Sequence, residues 1–207
     1  MSDGILALTG LSAWSITSVL LAHRAERRLA GGAARFPLLE LACTLAVTTC
    51  ALVVRAPADA ALRGGASIGL IAAAGADART GYLFDAVTIP AAAVVAIFAV
   101  VSGNASSAMH GVVLLVGTFG AVLVLSRGRL IGRGDVKAMY AVGAAFGPVE
   151  ALLVVFTACV SGLLVSALCG GVRRRASVAF GPHLAVGGSL TLIAGPAILR
   201  IIGGGAP

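Results

Sequence analysis

Charge is scarce in this chain. Only 11% of its 207 residues are charged and 5% are aromatic, against 59% hydrophobic and a mean hydropathy of +1.04. A water-soluble domain draws about a quarter of its residues from Asp, Glu, Lys and Arg, so this composition excludes one as the main body of the protein. Cysteine and histidine are also few. Cys43 and Cys50 fall in one apolar run and Cys159 and Cys169 in another, with no pair at the short spacing of a thiolate metal site, so all four read as small apolar side chains. His23, His110 and His183 lie far apart along the chain and form no local cluster, so neither a metal nor a cofactor is expected. The net charge of +7 comes without a basic face interleaved with stacking aromatics, which argues against a nucleic-acid partner.

What the chain does have is long apolar runs. Each crossing of a hydrocarbon core takes roughly 20 residues at 1.5 Å rise per residue. Segments are expected at 4–22, 37–54, 60–77, 85–102, 108–126, 135–147, 149–170 and 182–202. They lack the alternation of a membrane strand, and backbone polar groups in lipid must pair internally, so all are expected to be helices. The expected fold class is all-α: one polytopic membrane helix bundle of about eight transmembrane segments over residues 1–207, with membrane lipid as its surroundings. The first segment is preceded by Met1-Ser2-Asp3, with its basic residues after the apolar run, and reads as a retained anchor rather than a secretory signal.

The basic residues predict orientation. Arg24, Arg27, Arg28 and Arg35 follow the first segment and Arg79 the third. Arg127, Arg129, Arg133 and Lys137 follow the fifth, and Arg173, Arg174 and Arg175 the seventh. Only Arg55, Arg63 and Arg200 fall on the other side. Positive residues concentrate on the cytoplasmic side, so the odd-numbered loops are expected there, in a cytoplasmic membrane, with both termini outside.

Acids are the rarest charged groups, eight in all: Asp3, Glu26, Glu40, Asp59, Asp77, Asp85, Asp135 and Glu150. Asp3, Glu26, Asp59 and Glu150 read as loop or helix-end carboxylates in contact with water. Asp77 closes the third segment and Asp135 opens the sixth, which puts both at the same membrane face. An ionisable group at the edge of hydrocarbon is a functional-site candidate by default. The third segment counts only 14 residues from Arg63 to Asp77, roughly 21 Å of helix, and the sixth is similarly short. Two short crossings are expected to border a wet cavity shared by the two acids.

Small residues lead to the same place: Gly65, Gly69 and Ala73 precede Asp77 at steps of four, and Ala138, Ala141 and Ala145 follow Asp135. Around Asp135 the chain reads Gly132-Arg133-Gly134-Asp135-Val136-Lys137. The glycines permit unusual backbone conformations, and Gly134 is expected to leave the side of the acid bare for an approaching peptide main chain. Asp85 is expected to cap the fourth helix, with Thr88 as the alternative cap, and Glu40 to sit in the first turn of the second helix beyond Pro37; both are candidates for the cavity lining. Lys137 either biases the protonation of the acid pair or marks the membrane boundary.

Three stretches make the chain resemble the type IV prepilin peptidases, membrane aspartic proteases bearing a glycine-x-glycine-aspartate motif. They are Asp77-Ala78-Arg79-Thr80-Gly81-Tyr82-Leu83-Phe84-Asp85, Gly132 through Lys137 continuing to Gly143 and Gly147, and Phe180-Gly181-Pro182-His183-Leu184-Ala185. Pro37-Leu38-Leu39-Glu40-Leu41 is similar to the start of the family's second helix. Where the family usually has proline, this chain has Phe84, which implies a differently bent loop. Longer relatives carry a cysteine-rich zinc domain between the first two helices, associated with methylation. Here residues 23–36 hold no cysteine, which implies a compact peptidase without that domain.

The resemblance implies Asp77 and Asp135 as the catalytic pair and a pilin-like precursor as substrate, cut at the cytoplasmic face. The chemistry follows from the residue types. Two close carboxylates do not both ionise cheaply, so one holds a proton while the other activates water against the scissile carbonyl. Which is the base stays open, because a coupled pair titrates as a unit. Oligomeric state is also left open. The alternatives are a secondary transporter or proton-coupled channel that uses the same aspartates to bind ions, and a protease that cuts other membrane proteins within their helices.

Overall fold

A computed structural model of the chain describes residues 2–29, 37–168 and 179–202. Arg35, Cys169, Arg173, Arg174 and Arg175 therefore lie outside the described residues. The helices are α1 (Ser2–Leu29), α2 (Leu38–Val54), a short α3 (Pro57–Asp59) that runs through a π-turn (Ala60–Gly64) into α4 (Gly65–Thr80), α5 (Asp85–Val101), α6 (Ala105–Leu125), α7 (Arg133–Leu168) and α8 (Gly181–Ile202). Among the described residues there is no strand. The fold is an all-α membrane bundle. By length and composition Gly4–Leu29, Ala105–Leu125, Arg133–Leu168 and Gly181–Ile202 can cross a membrane, beside the shorter apolar helices Leu38–Val54 and Asp85–Val101. Leucines and valines on α2, α5, α6 and α7 face outward, a surface suited to lipid rather than water.

Two expected boundaries change. Residues 57–80 form one uninterrupted helical run, so the third segment is not short, and Arg63 lies within it. An arginine is tolerated there because it is ion-paired with Asp59 and with Glu150, at 2.7 Å from the latter. The sixth and seventh segments, by contrast, divide as the sequence implies. At Gly147 the backbone takes φ 66 and ψ −177, with Pro148 next. A positive φ suits glycine, and proline has no N–H to continue the preceding ladder. The chain reverses here: Glu150 sits beside Arg63, whereas Ser161 has returned to the opposite end, where its hydroxyl lies 3.0 Å from His183 Nδ1.

Glycines set the tightest packing. A Cβ on Gly143 would lie 2.5 Å from the Gly111 carbonyl oxygen, so α6 and the first arm of α7 touch backbone to backbone. A Cβ on Gly69 would stand 2.8 Å from the Ala91 methyl, so the stripe leading to Asp77 packs on α5. Ala138 and Ala141 border the same narrow gap as Gly69, Ala73 and Ala91, so the stripes before Asp77 and after Asp135 converge on α5.

A buried ionic cluster ties the end of the bundle remote from Asp77. Arg55 reaches Asp59 and Glu150 and donates from Nε to the Leu192 carbonyl at 3.1 Å. That carbonyl lacks its helical donor because the residue four positions on is Pro196, which has no N–H. Glu150, expected in water at a loop, is instead largely buried and serves both arginines.

Candidate active site

Asp77 lies in the last turn of α4. The helix ends four residues later at Gly81, whose φ of 71 is left-handed and whose N–H donates to the Asp77 carbonyl at 2.7 Å. The Asp77 side chain is 5% exposed, and its Oδ2 accepts the Gly181 N–H at 2.9 Å. This amide is one of the unpaired donors at the start of α8, so a helix N-terminus is aimed at the carboxylate. Gly181 has to be small, because a Cβ there would sit 2.8 Å from the same oxygen. The third stretch of the resemblance thus meets the first through one hydrogen bond.

Asp135 is half-buried in the first turn of α7. Its Oδ2 accepts the Gly132 N–H at 3.0 Å, and the Gly132 carbonyl receives Val136 N–H at 3.5 Å. The acid three residues into the helix reaches back to the amide just outside it, which is one half of a capping box and a physical reason for the glycine–aspartate spacing. Asp77, 58 positions away in sequence, is among the charges that Asp135 feels, behind burial and the Gly132 hydrogen bond.

The connection 81–84 runs from the end of α4, which carries Asp77, to the turn that carries Asp135. Leu83 lies over Gly134, where a Cβ would come within 2.9 Å of the Leu83 side chain. Gly134 therefore makes room for the chain's own loop, which corrects the expectation of a bare approach for peptide. Asp85 follows, and its Oδ1 accepts a hydrogen bond from Lys137 Nζ at 2.5 Å. Lys137 thus pairs with Asp85, and both side chains are substantially exposed. The expected cap at Asp85 is absent: Phe84 occupies the N-cap without a side-chain hydrogen bond, and Asp85 is the first helical residue. Thr88 donates to the Phe84 carbonyl at 3.2 Å, so it does not cap either.

Glu40 is in the first turn of α2, buried, and ion-paired with Arg79. Glu26, read as a loop acid, is also buried and takes Arg79 Nε and Nη2 at 2.7 and 3.0 Å. Sequence reading missed this cluster. The signal available was Arg79 itself, two residues past Asp77 in the matching stretch.

Two open depressions flank the Asp135 turn. One, of about 460 Å³, is bordered by Leu123, Arg127, Ile131, Gly132 and Arg133. The other, of about 300 Å³, is an apolar groove between α5, α6 and α7 with Lys137 and Tyr140 at its edge. Neither Asp77 nor Asp135 lines either one, so the expected cavity shared by both acids is not one of these two. Among the described residues no group of three or more His, Cys, Asp or Glu is placed to hold a metal ion.

Residues 65–167, which include Asp77, Asp135 and the loop that joins them, match the model of the type IV leader peptidase family. These residues form a domain of that family. Two relatives, each named prepilin leader peptidase/N-methyltransferase, come from Burkholderia pseudomallei strains 1026b and K96243. Each is 34% identical over 181 residues, covering 83% of this chain and 58% of the relative. The chain thus spans well under two thirds of their length. No solved structure matches it.

Proposed function

We propose that the protein is an aspartic endopeptidase that removes the leader of type IV pilin-like precursors at the cytoplasmic face of the cytoplasmic membrane. The observation that carries this reading is that a type IV leader peptidase sequence holds two aspartates, each anchored by a glycine amide, within electrostatic reach of each other. Asp77 and Asp135 are the catalytic pair. One carboxylate takes a proton from water as that water attacks the scissile carbonyl, and the other, protonated, donates to the carbonyl oxygen and then to the leaving amine. Neither a nucleophilic side chain nor a resident cofactor takes part.

The glycine amides support this division of labour. Each satisfies one oxygen, Oδ2, of its aspartate and fixes the carboxyl plane, while the other oxygen remains for water or substrate. Gly132 and Gly134 shape the turn that presents Asp135, and Lys137 holds that turn to Asp85. Orientation rests on the arginine asymmetry, which also sets the active end toward the cytoplasm, where a precursor's leader lies. The methyltransferase half of the relatives' name is not carried over, since residues 23–36 hold none of the cysteines that the resemblance associates with it.

Co-expression with a prepilin tests the reading. Wild type should convert the precursor to its mature form, and Asp77→Asn or Asp135→Asn should leave it uncut while still inserting in the membrane. Ion-dependent uptake into vesicles without proteolysis would favour a transporter instead.

A further inference from the structure

We propose that Arg79 is a positioning residue for Asp77: gripped by Glu26 of α1 and Glu40 of α2, it fixes the last turn of α4 and with it the aim of the Asp77 carboxyl. The activity arm of its test rests on the peptidase reading above.

Arg79 follows Asp77 by two residues, on the same turn. Its guanidinium meets Glu26 with two hydrogen bonds, Nε to Oε1 at 2.7 Å and Nη2 to Oε2 at 3.0 Å, and meets Glu40 Oε1 with Nη1. A planar fork is matched to a carboxylate in this way, whereas an ammonium would act as a single point charge. A basic residue that only marks the cytoplasmic boundary needs no partners and extends toward headgroups or water. Arg79, though its side chain is 42% exposed, pairs with two buried acids from different helices. Those acids depend on it, since two buried carboxylates without a cation would repel each other and remain poorly solvated.

Helix α4 is notched to allow the grip. At Gly75, one turn before Arg79, a Cβ would overlap the Glu40 carboxylate. The absence of a side chain there lets Glu40 lie along α4 and reach the guanidinium. On the other side the Gly181 amide of α8 holds the Asp77 carboxyl at 2.9 Å. The final turn of α4 is thus held from two directions, by α1 and α2 through Arg79 and by α8 through Asp77 itself. Releasing one attachment lets the turn rotate about the other.

Arg79→Lys keeps the charge, and so the topology, but loses the planar fork that meets Glu26 at two points while also reaching Glu40. Expected for the purified variant in nanodiscs is a kcat on a prepilin substrate lower by about tenfold, with KM within about twofold. Gly75→Ala, whose methyl would overlap the Glu40 side chain from Cγ outward, should reproduce that pattern. Hydrogen exchange supplies a readout independent of activity: amides of residues 77–84 should exchange about tenfold faster in Arg79→Lys, with those of α6 unchanged. Wild-type kcat together with wild-type exchange in Arg79→Lys overturns the proposal. So does faster exchange spread evenly over all helices with kcat per folded molecule intact, since that is the mark of a general stabilising contact. A wild type that cuts no prepilin sinks the peptidase reading and leaves the exchange comparison to decide this one.

Discussion

Adding one methyl group at Gly181 should impair chemistry without weakening the fold. The Cβ of Gly181→Ala would stand 2.8 Å from Asp77 Oδ2 and 3.1 Å from Asp77 Cβ. Unstrained contacts of this kind sit at about 3.5 Å or more, so the carboxyl must retreat by roughly 0.5–1 Å. That retreat stretches the 2.9 Å hydrogen bond from the Gly181 amide. A hydrogen bond to a charged group contributes about 1.5–3 kcal/mol, so losing half to all of it corresponds to a rate loss of roughly fourfold to 160-fold. Misplacement of a catalytic group by about 1 Å leads to a similar figure. Alanine is favoured over glycine by about 1 kcal/mol in a helix interior and by less at the first residue of α8, which offsets part of the lost hydrogen bond. The assay is cleavage of a prepilin by purified protein in nanodiscs, with the thermal midpoint measured on the same samples. A markedly lower kcat at a midpoint little changed is expected. Full kcat, or a loss that merely follows a falling midpoint, would refute the argument that the Gly181 amide aims Asp77.

Two substitutions far from the pair should behave in the opposite way. Glu150→Gln removes one of the two carboxylates shared by Arg55 and Arg63, whose side chains are 8% and 17% exposed, and leaves both relying on the more exposed Asp59. Leaving a buried charge wholly unpaired costs about 3–5 kcal/mol, and Asp59 offsets part of that here, so the thermal midpoint should fall while kcat per folded molecule is preserved. Gly143→Ala drives a methyl to within 2.5 Å of the Gly111 carbonyl oxygen, where only backbone can yield. Overpacking of this kind destabilises by about 1–3 kcal/mol, measurable as a lower midpoint, and Gly111→Ala should do the same from the facing helix.

Much of the bundle is legible in the sequence because lipid imposes simple rules: long apolar runs, internal hydrogen bonding and breaks at glycine and proline. The reversal at Gly147-Pro148 falls where the apolar pattern divides, although residues 133–168 otherwise continue as helix. Asp77 and Asp135 stand out for the same reason, as carboxylates at the rim of hydrocarbon. What local pattern hides is pairing at long range. Glu26, Glu40 and Glu150 look like helix-end acids, yet each is buried against an arginine 39 to 95 positions away. Arg63 looks like a segment boundary for the same reason, since only the fold brings Glu150 to it. Counting arginines as markers of sidedness overlooks that Arg55, Arg63 and Arg79 also hold helices together. Gly134 illustrates a different limit: its lack of a side chain is plain in the sequence, but the identity of the neighbour that needs the space, Leu83, is not.

Single-turnover cleavage of a prepilin by purified wild type, Asp77→Asn, Asp135→Asn and the double variant tests the shared role of the two aspartates most directly. Groups that act as one unit give non-additive losses, so each single variant should fall to the background rate and the double variant should fall no further. Measurable cleavage by either single variant, or losses that multiply in the double variant, would contradict a joint acid–base pair.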